Sequence, residues 1–105
     1  MPPDWVFQAA VQSHIYAFGA NGDQNAVAPD NVLASAVTLI PKAFLHVATE
    51  INSAEFRGGM LEYGMKEGMV EVVYNPRLQS KIPAVTLEKA KEAEQQIIAG
   101  NIVLE

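Results

Sequence analysis

Apolar positions follow two rhythms along the chain, and the changes between them predict the elements. Val6, Phe7 and Ala10 recur on one side of residues 5–12, which read as the end of a helix. Residues 14–19, His-Ile-Tyr-Ala-Phe-Gly, then run apolar without alternation and stop at a glycine. That pattern predicts a buried parallel strand over residues 15–19. A polar loop follows, Ala20-Asn21-Gly22-Asp23-Gln24-Asn25, rich in residues that tolerate left-handed backbone angles, and Pro29-Asp30-Asn31 closes it. Residues 32–37 form a second strand-like run.

Pro41 suits the first turn of a helix, where its missing N–H has no intrahelical partner. Ala43, Phe44, Val47, Ala48 and Ile51 then mark one face at helical spacing, and Gly58 and Gly59 close the unit. Residues 60–65 and 69–73 read as two extended segments around Lys66-Glu67-Gly68, the pattern of a hairpin. Asn75-Pro76 and Ile82-Pro83 bracket a loop. Thr86 is placed to cap a last helix whose Leu87, Ala90, Ala93, Ile97 and Ile98 are expected to form its buried, packed stripe. Gly100 stands where that helix should stop. The order helix, strand, strand, helix, strand pair, helix predicts an α/β layered architecture.

Composition narrows the function classes. A chain of 105 residues makes one small domain or part of a larger one. It is 50% hydrophobic and 18% charged, a globular balance. The net charge of −5, with basic residues scattered singly, argues against nucleic acid, which needs clustered Lys and Arg. There is no cysteine, so disulfides and thiolate chemistry are excluded. Met1-Pro2-Pro3-Asp4-Trp5 lacks a basic region followed by an apolar core, so no signal peptide is expected in this chain. No apolar run approaches the roughly 20 residues that span a bilayer.

The loop after the first strand carries the most chemistry. Ligands in open α/β sheets bind outside the carboxyl ends of strands. There Asp23 can accept from hydroxyls, while Asn21 and Gln24 can donate and accept. Such groups suit a neutral, hydroxyl-rich ligand and repel phosphate, and the glycine spacing is not G-x-G-x-x-G. The competing reading is a solvated turn that uses Asn and Gly for positive φ. The histidines, His14 and His46, lack metal-ligand spacing; His46 reads as a surface pair with Glu50. Ser35 has no flanking glycines to form a nucleophile elbow. These patterns predict no enzyme, no metal and no cofactor.

Several segments in consistent order resemble the basic-membrane-protein family of solute receptors. They are residues 15–25, Ala28-Pro29-Asp30, residues 32–37, Phe56-Arg57-Gly58-Gly59, Tyr63-Gly64-Met65-Lys66-Glu67-Gly68, and residues 93–100 with an I-I-x-G ending. Family members carry G-x-D-x-D-Q in the loop and a Ser-Val-Val-Lys-like crossover. Here the first acidic position is Asn21 and the crossover lysine position is Thr38. The resemblance implies the carboxy-terminal part of a type I periplasmic-binding-protein fold, whose two α/β lobes close on a purine nucleoside or related ligand. Residues 32–41 would be an inter-lobe crossover, and Asn21, Asp23, Gln24 and Thr38 would bind the ligand. The parent receptor would be extracytoplasmic, membrane-anchored or periplasmic, and would deliver its ligand to an ABC permease. About 300 residues are needed for two lobes, so this chain is expected to be a fragment, single in domain and prone to form a homo-oligomer. The alternative is a stand-alone interaction module that keeps the fold without transport.

Overall fold

The computed structural model describes residues 4–54 and 56–103; the first three residues of the amino-terminal segment considered above lie outside them. Helix α1 (Asp4–Ser13) leads into strand β1 (Ala17–Asn21), strand β2 (Val32–Thr38) and helix α2 (Ile40–Asn52). Strand β3 (Val70–Tyr74), a 3-10 turn at Gln79–Lys81 and helix α3 (Ala84–Ile98) complete the order. The sheet runs β1-β2-β3, with β1 and β2 parallel and β2 and β3 antiparallel. This is the mixed α/β architecture the chain pattern predicts.

The first strand begins later than expected, because the end of α1 consumes its leading residues. The amide of Ile15 donates to the carbonyl of Ala10 at 3.0 Å, and that of His14 to Val11 at 3.3 Å. With His14 at φ 54°, this is a Schellman-type cap built on a non-glycine residue. Ile15 and Tyr16 lie exposed before the strand, and Phe18 on it is 71% exposed; only Gly19 of residues 15–19 is buried. The expectation of a wholly buried strand is corrected accordingly.

The hairpin is also corrected. Gly58 and Gly59 take φ values of 70° and 110°, and no strand forms over residues 60–65. Residues 64–69 instead close a turn, with Met69 N–H donating to Gly64 O and the Glu67 carboxylate accepting from Gly64 N–H at 2.9 Å. β3 therefore pairs with β2 over five residues, from Ala34↔Tyr74 to Thr38↔Val70. A distant β-branched partner supplies a full ladder that a glycine-rich neighbour cannot.

Ile40 and Pro41 open α2, as the proline position predicts. α3 starts one turn earlier than expected: Pro83 is its N-cap, and Thr86 lies inside the helix rather than capping it. It ends as expected, with Gly100 at φ 82° and the Asn101 and Gly100 amides donating to Gln96 and Ile97 carbonyls.

Burial is concentrated where α1 and the following loop meet the sheet. Phe7, Ala28 and Val32 form a cluster packed by Ala17, and Ala10, Ala34, Met69 and Leu78 are also buried. No residue of α2 or α3 is buried. In α3, Leu87 and Ile97 are half-buried while Ala90, Ala93 and Ile98 are exposed, so the expected packed stripe is corrected to an uncovered one. The cause is a cleft of about 470 Å³ between α3 and the sheet face bearing Phe18, Ala34, Ala36, Val72 and Tyr74. On α2, Phe44 is 72% exposed. The radius of gyration, 16.7 Å, exceeds the roughly 13 Å of a compact domain this size, because both helices stand off the sheet.

One polar contact holds α3 across that cleft. The Tyr74 hydroxyl donates to Glu94 Oε1 at 2.7 Å, and the Lys91 ammonium lies 5.6 Å from the Tyr74 ring centroid. Burial, then the hydrogen bond to Glu94 and its charge, push the Tyr74 pKa up to about 12. The folded protein thus keeps the phenol proton above pH 10, where the unfolded chain loses it. This contribution to stability is complete below pH 10 and lost as pH rises towards 12. Urea midpoints measured from pH 9 to 12 should fall more steeply for the native chain than for Tyr74→Phe; parallel curves would remove Tyr74 from the linkage.

Candidate functional site

The carboxyl end of β1 presents the expected loop, and its backbone is strained where β1 ends. Asn21 takes φ 73°, and the Gly22 amide donates to Ala20 O at 3.0 Å, closing a three-residue turn around Asn21. Asparagine tolerates this left-handed geometry better than most side chains. Gly22, the residue free to adopt it, is not the one that does. Departures of this kind collect at ligand-handling sites.

Thr38, at the end of β2, is brought to the same place. Its hydroxyl donates to Asn21 O at 3.2 Å, so both strand ends are stitched together at their exposed rim. Asp23 is exposed, and its Oδ1 accepts from the Asn25 amide at 3.0 Å in an Asx turn that leaves the second oxygen without a partner among the described residues. Gln24 is half-buried, and its Oε1 accepts from the Ala20 amide at 2.8 Å. The four residues therefore share one rim, each with a polar atom already held by the backbone or held close to it. Held in place, their polar atoms can donate to and accept from a neutral ligand.

Three buried polar residues escaped sequence reasoning, Ser35 and Asn25 beneath the rim and Asn75 at the opposite end of β2. Ser35 is fully buried; its hydroxyl accepts from the Gln24 amide at 3.1 Å and donates to Asn25 Oδ1 at 2.8 Å. The Asn25 Nδ2 donates to Val73 O at 3.1 Å. Asn75 is 5% exposed; its Nδ2 donates to Pro29 O and Val32 O at 2.9 and 2.8 Å, and its Oδ1 accepts from the Arg77 amide. A serine inside an apolar strand run was the available signal, since a buried hydroxyl needs partners. His46 Nε2 lies 2.9 Å from Glu50 Oε1 on exposed helix surface, the pair its spacing predicts.

Comparison with known proteins gives the family and the fold. Residues 3–105 match the family described as ABC transporter substrate-binding protein PnrA-like. Basic membrane protein C of Borreliella burgdorferi is 34% identical over 92 residues, covering 85% of this chain and 25% of that protein. Basic membrane protein A1 of Borrelia garinii subsp. bavariensis is 29% identical over 91 residues, 85% of this chain and 26% of its own length. The chain thus spans about a quarter of the relatives it matches. Among solved structures, a Bacillus halodurans protein described as a transcriptional activator of the comK gene superimposes with a TM-score of 0.80 at 22% identity. That match covers 95% of this chain and 34% of the other. A solute-binding protein of an ABC transporter system from Aeropyrum pernix gives a TM-score of 0.69 at 18% identity, covering 95% and 35%. The fold is accordingly a partial periplasmic-binding-protein fold. With its family match running from residue 3 to residue 105, the chain belongs to the PnrA-like ABC transporter substrate-binding proteins, the family of the basic membrane proteins.

Proposed function

We propose that this chain forms one wall of the ligand cleft in the solute-binding component of an ABC importer. Asn21, Asp23, Gln24 and Thr38 hydrogen-bond a small, uncharged, hydroxyl-rich ligand of the nucleoside class. The observation that carries the reading is the strained turn at Asn21, stitched to Thr38 at the carboxyl ends of two parallel strands. The second carboxylate oxygen of the exposed Asp23 offers ligand hydroxyls an acceptor. The net charge of −5 disfavours an anionic solute.

In the same reading residues 32–41 are a crossover between two lobes, and a second lobe completes the cleft before the ligand passes to a membrane permease. The protein works outside the cytoplasm. Uncovered apolar faces on α2 and α3 favour self-association of this chain when it stands alone.

The test is calorimetry with a panel of ribonucleosides on the receptor carrying this sequence. Losing a hydrogen bond to a ligand hydroxyl costs about 1–3 kcal/mol, so Asp23→Ala should weaken binding roughly five- to 150-fold. Asp23→Asn keeps an acceptor for the Asn25 amide and separates loss of the ligand contact from loss of the turn. Unchanged affinity in both variants would leave the loop a structural turn.

A further inference from the structure

We propose that Ser35 is the positioning residue of the ligand loop: its buried hydroxyl fastens residues 20–25 to β2 and, through Asn25, to β3. Loop and strand pair then move as one body when ligand binds. The proposal rests on reading that loop as the ligand wall.

Sheet register shows how the contact is built. Gly19, Ser35 and Val73 occupy one row across the three strands. The loop folds back over this row. Gly19 has no side chain to obstruct it, Ser35 takes the Gln24 amide, and the Val73 carbonyl takes Asn25 Nδ2. Ser35 uses its hydroxyl as acceptor and donor at once, with Gln24 N–H and Asn25 Oδ1 as partners. A residue needed only to fill this strand would be apolar, since a buried hydroxyl contributes nothing to packing and must be satisfied. The two residues it holds follow Asp23 directly, so the latch sets where the Asp23 carboxylate points.

Amide hydrogen exchange on the full chain tests this, with Ser35→Ala and the conservative Ser35→Cys. In Ser35→Ala the Gln24 amide should exchange about tenfold faster or more, with α1 and α3 amides unchanged. Ser35→Cys, which keeps a weak donor and acceptor, should fall between. An unchanged Gln24 amide overturns the proposal. So does an equal acceleration in every element, which would make Ser35 a residue of general stability. Should Ser35→Ala fail to fold, Asn25→Ala cuts the same latch from the loop side and should accelerate Gln24 in the same local way. Inosine binding serves as a separate arm. Absence of binding by the native receptor counts against the nucleoside reading alone, while the exchange pattern still decides the latch.

Discussion

Replacing Asn75 with alanine should cost about 2–4 kcal/mol of folding stability and shift the urea midpoint down by roughly 1–2 M. Asn75 sits just past β3, and its backbone amide donates to Leu33 O at 2.9 Å, extending the β2–β3 ladder. Its side chain then joins Pro29 and Val32 to the stretch before Arg77 through three further hydrogen bonds. Alanine preserves the backbone bond and removes the rest. The Val32 carbonyl, on a fully buried residue, loses the Asn75 Nδ2 donor without gaining water. An unmade buried hydrogen bond costs more than a made one contributes, so this loss dominates. Asn75→Asp has the same shape but turns a donor into a charged acceptor facing two carbonyls, and should be at least as damaging. Equal midpoints for native and Asn75→Ala chains would mean that water replaces the side chain there.

Local signals were legible where a single residue decides the backbone. Pro41 marks the first turn of α2 and Gly100 ends α3 because each fixes or frees φ without reference to the rest of the fold. The boundary of β1 was not legible, because His14 performs a glycine's work at the end of α1 and no propensity announces that. The partner of β3 was hidden for another reason. Residues 60–65 and 69–73 look alike in apolar content, and only the competition with β2, more than 30 residues away, separates them. Period alone likewise cannot say what an apolar helix face meets. The spacing of Leu87, Ala90 and Ile97 identifies a face, but in this chain that face borders a cleft.

The site divides in the same way. Asn21, Asp23 and Gln24 were legible as polar residues after a strand run and Thr38 through the family resemblance, and the fold gathers them on one rim. Ser35 and Asn25 support that rim from below, while Asn75 ties down the opposite, amino-terminal end of β2, and each draws its meaning from partners distant in sequence. Gly19 belongs with them, since a glycine closing an apolar run reads simply as a strand end.

Gly19→Ala should therefore destabilise the fold by about 2–3 kcal/mol, most of it at the loop. A Cβ there would collide with Ser35 Oγ and stand 2.9 Å from Gln24 Cβ and 3.1 Å from its Oε1. The serine hydroxyl can escape only by rotating, which breaks its bonds to the Gln24 amide and Asn25. Gln24 Cβ is tied to backbone, so the loop itself must lift from the sheet. At roughly 4–8 °C per kcal/mol for a domain near this size, the melting temperature should drop by about 10–20 °C. Combining Gly19→Ala with Ser35→Ala distinguishes this cause from ordinary overpacking. Without the hydroxyl the new methyl has one fewer obstacle, and the latch it breaks is already gone. The double variant should lose less than the sum of the singles, with a coupling of about 0.5–3 kcal/mol by double-mutant cycle. Strict additivity would show that Gly19 and Ser35 act on the fold independently, and that the space above Gly19 is not what lets the loop reach the sheet.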